Sequence, residues 1–433
     1  MISPFRAWRY DPERVPVPQV VTQPYDKITS AMQERYYQAS PYNLVRIILG
    51  KRFPEDGESE NVYTRAAESF QNWRQTGILR RDRERSIYCY SQTFRIPGSD
   101  AQSERRGFIA LGRIEDYSAQ VVFRHEQTLA KPKADRLDLL RANRAHFGQI
   151  FMLYGGSGKV DALLDSAAGK SPEIEVTDEY EVVHRVWRIS DAALIASVQE
   201  KMRDKKLIIA DGHHRYETAL AYRNERRGAA ETGSGIPTPY DSVMMTFVDM
   251  DCPGLVILPT HRLVFGLPHF TAAQFQADAR KFFNVEEVDA DIDAARATAI
   301  LRNAGHAGTA LLVATAGRAF LLHTPKSIGT SLFGKLALRQ QALDVVQLHK
   351  CLLEGVLNIS DEAIRNQEHV SYAREASDAL AQVQSGKAQA AFLMNPVCIE
   401  QVRNIAFAGE VLPQKSTDFY PKLLSGLTIY ALE

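Results

Sequence analysis

The sequence predicts an α/β protein in which helices cover mixed sheets, and three observations carry that prediction. Strand-like runs such as SIYCYSQTFRIPG and RRGFIALGRIEDY, rich in Tyr, Phe and Ile, alternate with runs of helical spacing along most of the chain. The segment LIIADGHHRYETALAYRNERR has the pattern of a strand, a glycine turn and a helix. At 45% hydrophobic and 24% charged over 433 residues, the chain has apolar mass for two large domains or three ordinary ones.

Charge and cysteine content then remove several functions. Lys plus Arg and Asp plus Glu are both 52, so the formal net charge is zero and no long-range field draws a polyanion. No nucleic-acid partner is expected. Cys89, Cys252, Cys351 and Cys398 form no C-x-x-C pair, which argues against a zinc ribbon or a disulfide framework. The opening MISPFRAWRYDPERVPVP is charged and proline-rich where a signal peptide needs an apolar stretch, and no run approaches the roughly 20 apolar residues of a spanning helix. A cytoplasmic protein with no membrane partner is expected, with homo-oligomerisation left open.

Taken in order, PQVVTQPYDKI is a short apolar piece closed by a Pro-Tyr-Asp turn, and Ser30 is the expected N-cap of a helix to Tyr37, with Glu34 inside its first turns. Val62, Ala66, Phe70 and Trp73 fall at helical spacing before Gly77, a stop. Residues 135 to 147 form a helix with Leu137, Leu140 and Ala145 inward, and FGQIFMLY follows as a buried strand. EVVHRVWRI is strand-like, and DAALIASVQEKMRDKK is an amphipathic helix with Asp191 near its start. Residues 228 to 240, rich in Gly, Pro, Ser and Thr, read as a mobile loop; DSVMMTFVDM and GLVILPTHRLV are strands. Between 270 and 330 lie helices AAQFQADARKFF and DAARATAILRNAG and strands TALLVATA and RAFLLHT, which suit a small α+β insert. The chain is helical from Leu336 through Val356, then gives AQAAFLMN and a helix at 398 to 407.

The strand-turn-helix unit is the best motif. A helix start presents backbone N–H groups without helical acceptors and a partial positive charge, which together can cradle phosphate. Gly212 lets the backbone approach a ligand, Asp211 can cap the helix or hold a cation, and His213, His214 and Arg215 place donors in the first turn. An Asp-capped helix with solvated side chains is the plain structural alternative. GGSGK at 155 to 159 lacks the first Walker glycine and the magnesium hydroxyl, so it is a turn; H-E-x-x-H fails because the fifth position is Leu129. His125, Glu126, Thr128, Lys131, Lys133, Asp135 and Arg136 crowd one segment, where Glu126 suits a general base or magnesium ligand and Lys131 or Arg136 an anionic oxygen. PYDKI offers Asp26 after a constrained Pro-Tyr, and QKSTDFYPK offers Lys415, Ser416, Thr417 and Lys422.

Together, PYDKI, HEQT, DRLDLLRA, DGHHRYETA, LPTHR, LDVVQLHK and GEVLPQKSTDFYPKLLSGL resemble a widespread bacterial family of unknown function, domain-of-unknown-function family 1015. The DGHHR segment is also similar to the nucleotide-binding turn of the ParB/sulfiredoxin-like superfamily and its free-serine kinases. That resemblance implies a ParB/sulfiredoxin-like nucleotide-binding core at 86–265, an N-terminal α/β segment at 1–85 packing on it, the smaller α+β insert at 270–330, and a closing segment of helices and strands at 331–433. It implies ATP phosphates on Gly212, His213, His214 and Arg215, with Asp211, Lys415, Ser416 and Thr417 as further cofactor contacts. A sulfiredoxin needs a cysteine at the position of His213, and a ParB clamp a basic DNA-binding region; neither is present. What survives is phosphoryl transfer from ATP, with Mg2+ on Asp211, to the hydroxyl of a small molecule such as free L-serine. Glu126, Asp26 and His214 are the catalytic candidates. A non-catalytic nucleotide-binding regulator and a metal-dependent hydrolase using His213, His214 and Asp211 stay open as alternatives.

Overall fold

The computed structural model describes residues 2–126, 131–165, 171–229, 237–326 and 332–433, with the side chains of 131–133 and 229 outside the description. Gln127 and Thr128 of the HEQT segment, the side chains of Lys131 and Lys133, and most of the loop expected at 228 to 240 therefore lie outside the described residues. The chain divides into two units. The first comprises residues 1–124, 128–256 and 421–433, and the second 125–127 and 257–420.

The first unit is built on a nine-stranded mixed sheet among the described residues. Its strands are β1 (Ile2–Ser3), β2 (Ile87–Arg95), β3 (Gln102–Arg113), β4 (Val122–Phe123), β5 (Ile150–Tyr154), β6 (Ile174–Thr177), β7 (Val183–Ile189), β8 (Leu207–Asp211) and β9 (Ser242–Asp249). They run in the order β4-β8-β5-β9-β3-β2-β7-β6, with β1 on β3. β9 lies parallel to β5 and β4 parallel to β8; the other pairs are antiparallel. All five residues of β5 are buried, as expected for an interior strand covered on both faces. Between β8 and β5 the register shifts at Ile209/Asp211, a bulge that re-aims the strand end carrying Asp211.

Local chemistry accounts for the helices. Asn61 caps Val62–Gln75, taking the N–H groups of Tyr63 and Thr64, while Val62, Ala66, Phe70 and Trp73 are buried along one face. Asp191 caps Ala192–Met202 through Leu194 N at 2.7 Å. The first helix, Ser30–Ala39, is capped one residue earlier than expected. Thr29 has the extended backbone of an N-cap and its hydroxyl accepts from Met32 N, which leaves Ser30 already helical. The 17-residue helix His213–Ala229 packs on the sheet through Tyr216 and Ala219. Arg223, 3% exposed, donates to Ile114 O at 2.6 Å and to Asp116 Oδ2 at 2.8 Å.

The second unit carries a six-stranded antiparallel sheet among the described residues: β10 (His261–Val264), β11 (Asn284–Val288), β12 (Ala310–Thr315), β13 (Arg318–His323), β14 (Val370–Ala373) and β15 (Ala390–Met394). The order is β11-β13-β12-β15-β10-β14. Helices Ala294–Gly305 and Ala376–Gln384 cover it through Ala297, Leu301, Ala379 and Leu380. Residues 270–330, drawn from sequence as an insert of their own, thus share one sheet with 370–394. β15 lies between β12 and β10, so those two strands find their neighbour about the middle of the closing segment. The helical run expected through Val356 consists of Leu338–Gln341, Asp344–Gln347 and a π-helical stretch Leu348–Glu354.

Tyr216 fixes the start of the long helix to the sheet: its hydroxyl donates to Glu115 O at 2.7 Å and accepts from Glu115 N at 2.9 Å, with the residue fully buried. Tyr216→Phe leaves that partly buried N–H and carbonyl without the phenol, at a cost of about 1 kcal/mol. Urea denaturation checks this, and an unchanged midpoint contradicts it.

Candidate functional site

At the end of β8 the chain turns through Gly212, at φ +91°, and enters the helix at His213. A side chain is disfavoured here on two grounds. That backbone conformation suits glycine, and an added Cβ would lie 3.0 Å from the guanidinium carbon of Arg215. Gly212 N donates to Asp211 Oδ1 at 2.9 Å, and Gly212 O receives Tyr216 N at 2.9 Å, which starts the helical ladder.

Cations gather on Asp211. Its Oδ2 lies 3.7 Å from Arg215 Nη2 and 3.6 Å from Lys422 Nζ. Burial pushes the Asp211 pKa up, but the positive charges of Lys422, Arg215, Lys27 and His213 outweigh it and hold the carboxyl below the ordinary range. Arg215 is pinned at its other end, Nη1 donating to Gln149 O. Its guanidinium therefore folds back across Gly212, and the bend is covered by a positive charge.

Lys422 reaches this cluster because the backbone behind it is anchored inside the first unit. Gln92 Nε2 donates to Lys422 O at 2.8 Å, and Arg105 donates to Pro421 O and, through Nε at 3.1 Å, to Gln92 Oε1. Arg105 is 1% exposed and lies 4.6 Å over the Phe151 ring; burial pulls its pKa down to about 10. Next to Gln92, His184 Nδ1 is 2.7 Å from Tyr90 Oη and Nε2 is 3.1 Å from Asp178 Oδ2. Burial depresses the His184 pKa against the pull of Asp178, which favours the neutral ring.

A sequence profile described as "Protein of unknown function (DUF1015)" matches residues 2–346. The chain belongs to that family. No curated protein matches it. Among solved structures, the DUF1015 chain is similar to a free serine kinase in complex with AMP, at 12% identity, covering 71% of this chain and 88% of that one with a TM-score of 0.34. A conserved hypothetical protein from Pyrococcus furiosus matches at 14% identity over 71% and 92% of the two chains, TM-score 0.34. SbnI with C-terminal truncation from Staphylococcus aureus matches at 10% identity over 75% and 87%, TM-score 0.36.

In this DUF1015 chain the residues singled out from sequence fall into two groups. Asp211, Gly212, His213, His214 and Arg215 belong to the first unit, as does Asp26, exposed in the turn Tyr25–Lys27. Lys27 of that turn acts on Asp211, and the Tyr25 phenol feels the charges of Arg215, Arg136 and Asp211. Glu126, Lys415, Ser416 and Thr417 belong to the second unit. There Glu126 Oε1 accepts from Ser416 N at 3.1 Å, Thr417 N at 3.0 Å and Thr417 Oγ1 at 2.9 Å, after Lys415 in a left-handed conformation at φ +56°. Buried His125 supports the hydroxyl, Nε2 to Thr417 Oγ1 at 2.7 Å. Two successive amides and a hydroxyl thus close on one carboxylate oxygen, the geometry of a backbone anion nest. Among the described residues no three His, Cys, Asp or Glu side chains are gathered to hold a metal, and consecutive residues such as His213 and His214 do not share a helix face. No described helix is long and apolar enough to cross a membrane.

Sequence reasoning missed Lys27 and Arg105. Lys27 adjoined the more conspicuous Asp26, and nothing local separates buried Arg105 from Arg106, its partly exposed neighbour.

Asp211 yields a pH signature. Its folded-state pKa lies below the roughly 3.9 of an unfolded aspartate, so its ion pairs contribute stability above that value and lose it as pH falls through the folded-state pKa. Asp211→Asn is expected to cost about 1–3 kcal/mol at pH 7, between exposed and buried pairs. The Tm gap from wild type should shrink progressively below about pH 4; a gap independent of pH between 7 and 2 contradicts the assignment.

Proposed function

We propose that this protein is an ATP-dependent kinase that phosphorylates the hydroxyl of a small molecule, free L-serine being the first acceptor to try. One observation carries the reading: an ionised Asp211 at the mouth of a helix, acted on by Lys422, Arg215, Lys27 and His213, so that cations outnumber the carboxylate they surround. Such a cluster in front of first-turn amides suits an anion of several charges.

In this mechanism the amides of His213, His214 and Arg215 seat phosphate oxygens. Arg215 and His213 neutralise charge on them, and His214 donates to the transferring phosphoryl group. The acceptor oxygen bonds to the γ-phosphorus as the bond to the β-phosphate oxygen breaks, and the hydroxyl proton passes to a carboxylate. Asp26, in the same unit as the bend, is the proposed carboxylate. Catalysis of this kind rests on positioning and charge neutralisation. Asp211 does not fit Mg2+, because its Oδ1 accepts from Gly212 N, its Oδ2 faces Arg215 and Lys422, and the charge around it is already positive. The Lys415–Thr417 turn forms an anion seat that Glu126 itself fills, its two amides and hydroxyl converging on that carboxylate oxygen.

The same contacts favour one alternative, a nucleotide-binding regulator without transfer, because Glu126 Oε1 is already held by three donors. Turnover separates the two. ADP release from ATP and Mg2+ is expected with at least one hydroxyl acceptor in a screen of amino acids and polyols, and Arg215→Ala is expected to lower kcat/KM about 10²–10³-fold, as for other lost charge-stabilising donors. Nucleotide binding by calorimetry with no ADP from any acceptor would sink the kinase and leave the regulator.

A further inference from the structure

Resting on that reading, we propose that the acceptor is a small carboxylate, a hydroxy acid or hydroxy amino acid, and that it enters a cavity in the first unit beside Arg215. The cavity measures about 70 Å³. That is room for several waters, which suits a carboxylate on a short carbon stem.

The lining sets the chemistry. Ile48, Leu139, Phe147 and Val243 give apolar walls, and the cations at the cavity are Arg136 and Arg215. Arg136 lies with its guanidinium carbon 4.3 Å from the centre of the Tyr25 ring, donates to Ile48 O at 2.6 Å and pairs with Asp135 through Nε at 2.9 Å, so its guanidinium is pre-positioned without ligand. Arg215 is fixed by Gln149 O and Asp211. Two immobilised arginines against apolar walls select a compact anion with a short carbon stem.

Thr218 supplies the second, independent sign. It lines the cavity at 5% exposure, and its Oγ1 is buried with no hydrogen-bond partner among the described residues. A buried hydroxyl left unpaired costs stability, and a ligand that supplies the missing hydrogen bond removes that cost. The neighbours of the cavity match the proposed reaction. Arg215 borders both the cavity and the Gly212 bend, and Tyr25, which also lines it, is followed directly by Asp26. An acceptor seated here lies next to the proposed phosphate seat on one side and next to the turn that bears a proposed base on the other.

The test uses the full-length protein without nucleotide, titrated by calorimetry with L-serine, glycerate and lactate, and with ethanolamine and ethylene glycol as hydroxyl compounds that lack a carboxylate. Binding is expected for at least one carboxylate and for neither control. Thr218→Val, which keeps the shape and removes the hydroxyl, is expected to weaken that binding by about threefold to tenfold, the worth of one neutral hydrogen bond, while raising the Tm of the free protein. Lost binding with a lowered Tm points to damaged folding, and Thr218→Ser then decides: it restores the hydroxyl and is expected to restore affinity. No carboxylate binding, equal binding of the controls, or unchanged affinity in Thr218→Val overturns the inference. A carboxylate that binds as described but is never phosphorylated leaves this site standing and removes the kinase; ADP formation with an acceptor indifferent to Thr218→Val does the reverse.

Discussion

One charged contact organises the first unit's functional end: Asp211, kept ionised at the start of a helix by Lys422, Arg215, Lys27 and His213. Each partner arrives from a different constraint. Arg215 comes from one helical turn onward, so it needs the helix to begin immediately after Gly212. Lys27 comes from the Tyr25–Lys27 turn, and Lys422 from the closing segment. Were Asp211 neutral, the cations would face one another without compensation, and the bend would lose the charge that holds Arg215 across its glycine.

That arrangement depends on a buried polar support behind it. Arg105 and Gln92, both 1% exposed, bind the carbonyls of Pro421 and Lys422, and Tyr90, His184 and Asp178 continue the network inward. Buried polar groups are costly unless satisfied, so this network specifies one placement of the 421–424 backbone. In the second unit the same economy appears in smaller form, where Glu126 is the anion that satisfies the Ser416 and Thr417 amides.

What could be read from sequence was local. Asn61 and Asp191 announce helix starts because a cap is made within three residues, and Val62, Ala66, Phe70 and Trp73 mark a buried face by spacing alone. The strand Leu207–Asp211, the glycine and the helix after it were equally legible, since each is a consequence of neighbouring residues. What stayed hidden was partnership across the chain. Arg105 meets Pro421 across 316 residues, and β15 lies between β12 and β10, which periodicity cannot announce because it reports which face is apolar and never which strand lies beside it. Asn284–Val288 escaped for another reason: as a strand whose residues are partly or fully exposed, it lacks the apolar alternation that marks a half-buried one.

The central claim is that the Gly212 bend receives the phosphates of a nucleotide. Amide NMR of the full chain titrated with a non-hydrolysable ATP analogue tests it most directly, reading the backbone N–H groups of His213, His214 and Arg215. The account predicts saturable shifts at these amides, reduced in Lys422→Gln. Saturable binding that leaves all three amides unmoved, with shifts confined to other parts of the chain, contradicts it.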